Sequence, residues 1–153
     1  MKIKILPIIG LFFLSACATS ITGQSASTLE RNKANVLAFY DLTFNQHKPE
    51  QAVERYIGQE YLQHNPRIPD GGQALIDALT PFFQKYPQSR PHIKRVVAEG
   101  DLVVLHVNSK KTPEDPGNAV VDIFRLNNNG KIVEHWDVSM PVPESSASGR
   151  GMF

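Results

Sequence analysis

Along the chain the apolar positions change their period. Between residues 29 and 85 they recur every three to four residues, and from 91 onward they alternate with polar ones, so helices precede strands. Val36, Leu37, Tyr40 and Phe44 share one helical face behind Ser27-Thr28-Leu29-Glu30, a capping box, which predicts a first helix from about Leu29 to Asn45. Lys48-Pro49 opens a second, shorter helix with Val53, Tyr56 and Ile57 on one side, and Gly58 ends it. A third helix, from about Gln73 to Lys85, carries Leu75, Leu79, Phe82 and Phe83; Pro81 lies inside it and is expected to bend or interrupt it.

The alternating part predicts two hairpins. One joins His92 to Glu99 with Leu102 to Lys110 across Glu99-Gly100-Asp101, and the other joins Ala119 to Leu126 with Lys131 to Met140 across Asn-Asn-Asn-Gly. With Asn129-Gly130 as the centre of a two-residue type I′ turn, Asn128 faces Lys131, which sets Arg125 opposite Glu134, Phe124 opposite His135, and Asp122 opposite Asp137. Residues 143–153 are rich in Pro, Ser and Gly and are expected to form a flexible tail, with docking of Met152-Phe153 on a groove the less favoured alternative. Helices first and antiparallel strands afterwards define an α+β domain.

At 153 residues the chain has room for one such domain, here residues 29–142. Sixteen Lys and Arg against fifteen Asp and Glu, with no basic stripe, argue against a nucleic-acid binder. The single cysteine forms no internal disulfide, and no Cys/His cluster has zinc spacing, so no metal site is expected. Residues 1–16 begin with two lysines and continue as an apolar run too short to span a bilayer, the pattern of a secretory signal. Leu14-Ser15-Ala16-Cys17 resembles the bacterial lipobox. That resemblance implies acylation of Cys17, a tether over residues 17–28 and, with Ala18 rather than Asp after the cysteine, an outer-membrane anchor on the periplasmic side.

Four blocks carry a second resemblance: Tyr61-Leu62-Gln63-His64-Asn65-Pro66, Gly100 to His106, Val121-Asp122-Ile123-Phe124-Arg125 and Gly130 to Asp137. In this order they look like the motifs of SnoaL-like polyketide cyclases, of the superfamily named after nuclear transport factor 2. The resemblance implies a cone-shaped curved sheet wrapped around about three N-terminal helices, with a pocket on the concave side. It also implies cofactor-free and metal-free acid/base chemistry: proton removal beside a carbonyl, then aldol closure, isomerisation or loss of water. Val120 stands where an epoxide-opening branch of the superfamily carries arginine, which disfavours epoxide hydrolysis.

Within that frame the residues divide by strand parity. Directly opposed Asp122 and Asp137 have Cβ atoms about 4.5–5.5 Å apart, so in a dry pocket one is expected to retain a proton. Asp122 is the expected base and Asp137 its tuning partner. His106, by parity with Leu102, Val104 and Asn108, is expected to act as an acid or polarise the carbonyl. His64 and Asn65 are expected at the mouth as substrate ligands, with Phe124 and His135 along the wall. His47 and His92 read as surface residues. The opposite face carries Val121, Ile123, Trp136 and Val138, and covering it by self-association predicts a homodimer. The alternative is a non-catalytic, periplasm-facing lipoprotein that binds a small apolar ligand or an envelope partner. Replacing Cys17 by serine is expected to move the protein from the membrane to the soluble fraction on cell fractionation.

Overall fold

The computed structural model describes residues 25–153; the expected signal peptide, Cys17 and most of the tether lie outside them. Helix α1 spans Ala26–Tyr40 and starts earlier than the capping box predicts, because the Ser25 hydroxyl already accepts from the Thr28 N–H. It widens into a π-helical turn, Asp41–Asn45, and α2 follows over Pro49–Tyr56 with proline in its first turn. Helix α3, Gly72–Lys85, runs through Pro81 without interruption. Position 81 is exposed, and so is Asp77, whose carbonyl loses its N–H partner there and can turn to water.

Five strands form one curved, open sheet: β1 (Ile57–Gln63), β2 (Arg90–Glu99), β3 (Leu102–Lys110), β4 (Asn118–Leu126) and β5 (Ile132–Pro141). Their order is β1-β5-β4-β3-β2, antiparallel throughout except that β1 lies parallel to β5. The strand β1 replaces the helix end and loop expected there. Nothing local announces it, since its partner lies some seventy residues away and its residues IGQEYLQ are mostly polar or exposed.

The hairpin between β4 and β5 has the expected register by a different route. Gly130 alone takes a positive φ, +75°, and its N–H closes a turn on the Asn127 carbonyl, so the turn is not type I′. Asn127 then faces Lys131 and Leu126 faces Ile132, one residue out of the expected phase. A bulge at Val133 restores it, and from Arg125–Glu134 onward every pair is as counted, Asp122–Asp137 included. Gly58 of β1 sits against that bulge: a Cβ there would lie 2.9 Å from a Val133 methyl carbon. Its absence lets β1 approach the kinked strand.

The core lies between α1 and the concave face. Val36 and Phe39 meet Val103, Leu105 and Val107 of β3, Phe124 and Leu126 of β4, and Ile132 of β5, all nearly or fully buried. Phe39 and Phe124 pack edge to face at 5.9 Å. Val138 and Met140 project from the convex side and are more than half exposed. The residues after β5 form no helix or strand, yet Phe153 stacks on His106 across that convex face.

Gly130 is pinned by contact as well as conformation, because Asn35 donates to its carbonyl at 2.8 Å and a Cβ would fall 2.7 Å from the same amide nitrogen. Gly130→Ala is therefore expected to lower stability by about 1–2 kcal/mol or more in denaturant titrations, the left-handed cost alone accounting for that range.

Candidate functional site

A cavity of about 240 Å³ opens on the concave side. Strands β4 and β5 supply its wall through Asp122, Phe124, His135 and Asp137, the inward-facing positions that alternation assigns to one side of the sheet. Helix α1 and its π-turn add Phe39, Tyr40 and Phe44, α3 adds Leu75 and Leu79, β1 adds Tyr61 and Gln63, and the loop after it adds Asn65. The helix widens directly after Tyr40, a distortion that recurs at functional sites.

Asp122 is buried and held on both oxygens. The Tyr40 hydroxyl donates to Oδ2 at 2.9 Å, and His135 Nε2 lies 3.1 Å from Oδ1. The other His135 nitrogen, Nδ1, is 2.8 Å from Gln63 Oε1. Asp137, opposite Asp122, takes both its contacts from one amide: Asn65 Nδ2 lies 2.9 and 2.8 Å from its two oxygens. Burial pushes the Tyr40 hydroxyl well above its ordinary range, and the negative charge of Asp122 adds to that push. Burial raises Tyr61 as well, against a hydrogen bond from Gln63 that lowers it. Both phenols are therefore O–H donors at neutral pH.

Of the residues singled out from the sequence, Asp122, Asp137, Asn65, Phe124 and His135 meet at this cavity. His106 does not. It pairs with Val121 on the convex side, where Arg95 reaches its Nδ1 at 2.9 Å, while Val103, Leu105 and Val107 take the inward positions. Strand β3 is apolar on both faces, so parity alone could not tell its inside from its outside. His64, the first residue after β1, also points outward, away from the cavity that Gln63 faces. Its ring stacks on Trp136 at 4.8 Å and 6°, and Nε2 meets Glu134 at 2.8 Å. That hydrogen bond, with the Arg125 partner, holds the Glu134 carboxyl below its ordinary range. His47 is half-buried rather than superficial, stacked on Phe83 at 4.3 Å, whereas His92 is exposed as expected.

Tyr40, Tyr61 and Gln63 were not legible as site residues. Tyr40 reads as one more apolar position of α1, and its partner Asp122 is 82 residues away. Among the described residues, no group of three or more His, Cys, Asp or Glu is arranged to hold a metal ion.

The model of the SnoaL-like domain matches residues 36–135. No curated protein matches the chain. Among solved structures, the chain is similar to a Bacillus cereus protein described provisionally as a polyketide cyclase, at 20% identity and TM-score 0.61 over 71% of this chain and 74% of that one. It is similar to a steroid delta-isomerase from Pseudomonas aeruginosa, at 20% identity and TM-score 0.56 over 79% and 85% of the two chains. A SnoaL-like protein of unknown function from Burkholderia thailandensis gives 13% identity and TM-score 0.60 over 76% and 98%. At these identities the likeness is one of fold.

The two phenols generate a test of the network. Above pH 10 the unfolded chain releases tyrosine protons that the folded chain retains, so stability is expected to fall as pH rises through that range. The decline is expected to be shallower in a Tyr40→Phe, Tyr61→Phe double variant. At pH 7, Tyr40→Phe alone is expected to cost about 2 kcal/mol by denaturant titration, since Asp122 loses a charge-assisted donor.

Proposed function

The chain belongs to the SnoaL-like domain family, and on that premise we propose that it is an enzyme that moves protons on a small carbonyl compound, of the aldol cyclase, isomerase or dehydratase type, without cofactor or metal. The observation that carries the reading is a buried Asp122 whose two oxygens are oriented by Tyr40 and His135 at the wall of a cavity. A base fixed in this way loses little freedom on reaching the transition state. Asp122 removes the proton beside the carbonyl, and Asp137, across the strand pair, is the second carboxyl through which a proton can return. Tyr61 offers a phenolic O–H to the carbonyl oxygen as it gains charge; of the residues expected there, Asn65 lines the cavity, while His106 and His64 face the convex side.

A cavity of about 240 Å³ is smaller than the roughly 300–1,000 Å³ that holds drug-sized ligands. The substrate is correspondingly small. Among the described residues no Lys or Arg lines the cavity and Val120 occupies its wall, so none of their guanidinium groups bridges the carboxylates as epoxide opening would require. Its aliphatic and aromatic lining also favours a second reading, capture of a small apolar ligand without turnover. In either case we propose lipid attachment at Cys17, which places the domain at the periplasmic side of the outer membrane. We further propose a homodimer that covers the exposed apolar residues of the convex face, Val138 and Met140 foremost.

Deuterium uptake from D₂O into a panel of activated ketones and β-dicarbonyls tests the catalytic reading. The Cys17→Ser protein is expected to accelerate exchange, and Asp122→Asn to lose about 10²-fold or more of it. Absence of exchange, together with ligand affinity that survives Asp122→Asn and falls in Phe124→Ala, would transfer the site to the binding reading.

A further inference from the structure

The hydrogen bonds of one side chain determine where the protons of this site stand. Gln63 Oε1 accepts from the Asn65 backbone N–H at 2.9 Å. An amide nitrogen could not take that bond, so the orientation of the Gln63 amide is set by the backbone of the following loop. The same oxygen lies 2.8 Å from His135 Nδ1 and carries no hydrogen, so Nδ1 must donate. The remaining ring nitrogen, Nε2, is then the one turned to Asp122 Oδ1 at 3.1 Å. In a neutral ring with Nδ1–H, Nε2 offers a lone pair, and two lone pairs cannot face each other at that distance. One proton therefore lies between His135 and Asp122; with Asp122 as the base it stands on the ring, as imidazolium facing carboxylate.

The other end of the amide acts on Tyr61. Gln63 Nε2 donates to the Tyr61 hydroxyl oxygen at 3.3 Å, which occupies a lone pair of that oxygen and leaves its O–H free. Tyr61 is nearly fully buried and lines the cavity, so a bound substrate is the partner this donor lacks.

We propose that Gln63 is the positioning residue of the site: its amide dictates that His135 carries hydrogen on Nδ1 and shares a proton with Asp122 through Nε2, while Tyr61 remains a hydrogen-bond donor to the substrate. The catalytic meaning of this arrangement rests on the acid/base reading above; the tautomer itself does not. Alternation along β1 serves the role, since Tyr61 and Gln63 both face inward and the peptide after them reaches Asn65, the ligand of Asp137. One amide thus touches the element that holds each carboxylate.

The test is nitrogen-15 NMR of the imidazoles in the full chain, with the His135 signals assigned by their loss in His135→Gln. Wild type is expected to show a protonated Nδ1. In Gln63→Leu the only acceptor left to the ring is Asp122, so the hydrogen is expected to move to Nε2 and Nδ1 to lose its proton signal. Gln63→Glu keeps an acceptor at the same place and is expected to restore the Nδ1–H pattern, which separates positioning from mere packing. A wild-type ring without hydrogen on Nδ1, or a Gln63→Leu protein that keeps Nδ1–H with an unchanged circular-dichroism spectrum, would overturn the proposal. Carbonyl exchange by Gln63→Leu is expected to fall at least tenfold; Gln63→Glu, whose second oxygen takes the Tyr61 O–H that the amide leaves free, is expected to restore the ring pattern but not the exchange. The expected ring pattern without exchange by any variant, wild type included, would support the role of Gln63 and defeat the catalytic reading.

Discussion

A carboxylate taken out of water must be given donors, and at Asp122 they come from elements that are remote in sequence. Tyr40 reaches it from the end of α1, and His135 from β5, itself held by Gln63 of β1. The helix, the edge strand and the central hairpin are therefore tied at one point by polar contacts, in addition to the apolar packing of Val36 and Phe39 on β3 and β4. Each of these bonds has a direction as well as a length. The site is specified by which atom carries hydrogen, and that specification passes from a backbone N–H through an amide and an imidazole to the carboxylate.

The sheet divides labour between its faces. Inward, the β4–β5 pairs combine charge with aromatic surface: Asp122 with Asp137, Phe124 with His135. Outward, Arg125, Glu134, His64 and Trp136 form a charged and stacked cluster at the β1 side, while Val138 and Met140 stay exposed farther along. A one-residue slip would exchange these two sets, since side chains alternate along a strand. The turn at Asn127–Gly130 and the bulge at Val133 displace the register in opposite senses and so protect it.

Much of this is legible in the order of the residues. Helical spacing around Val36, Tyr40 and Phe44 and around Leu75, Leu79 and Phe82, proline at the head of the second helix and the alternation after residue 91 mark the three helices and four of the five strands to within a few residues. The opposition of Asp122 and Asp137 could be counted along one hairpin. His106 and His64 carry no local marker of their face, because β3 is apolar on both faces and β1 lacks the alternation of a strand.

The order of helices and strands, the α+β class, the family blocks and the pair of carboxylates are all encoded in periodicity or in residues joined by one short turn. The parallel pairing of β1 with β5, the placing of Tyr40 and Tyr61 as donors at the cavity and the contact of Gln63 with His135 follow from the folded chain alone. Those contacts join residues some seventy to eighty positions apart. Their strength arises from burial and from the direction of single hydrogen bonds, which exist only once the chain has closed around them.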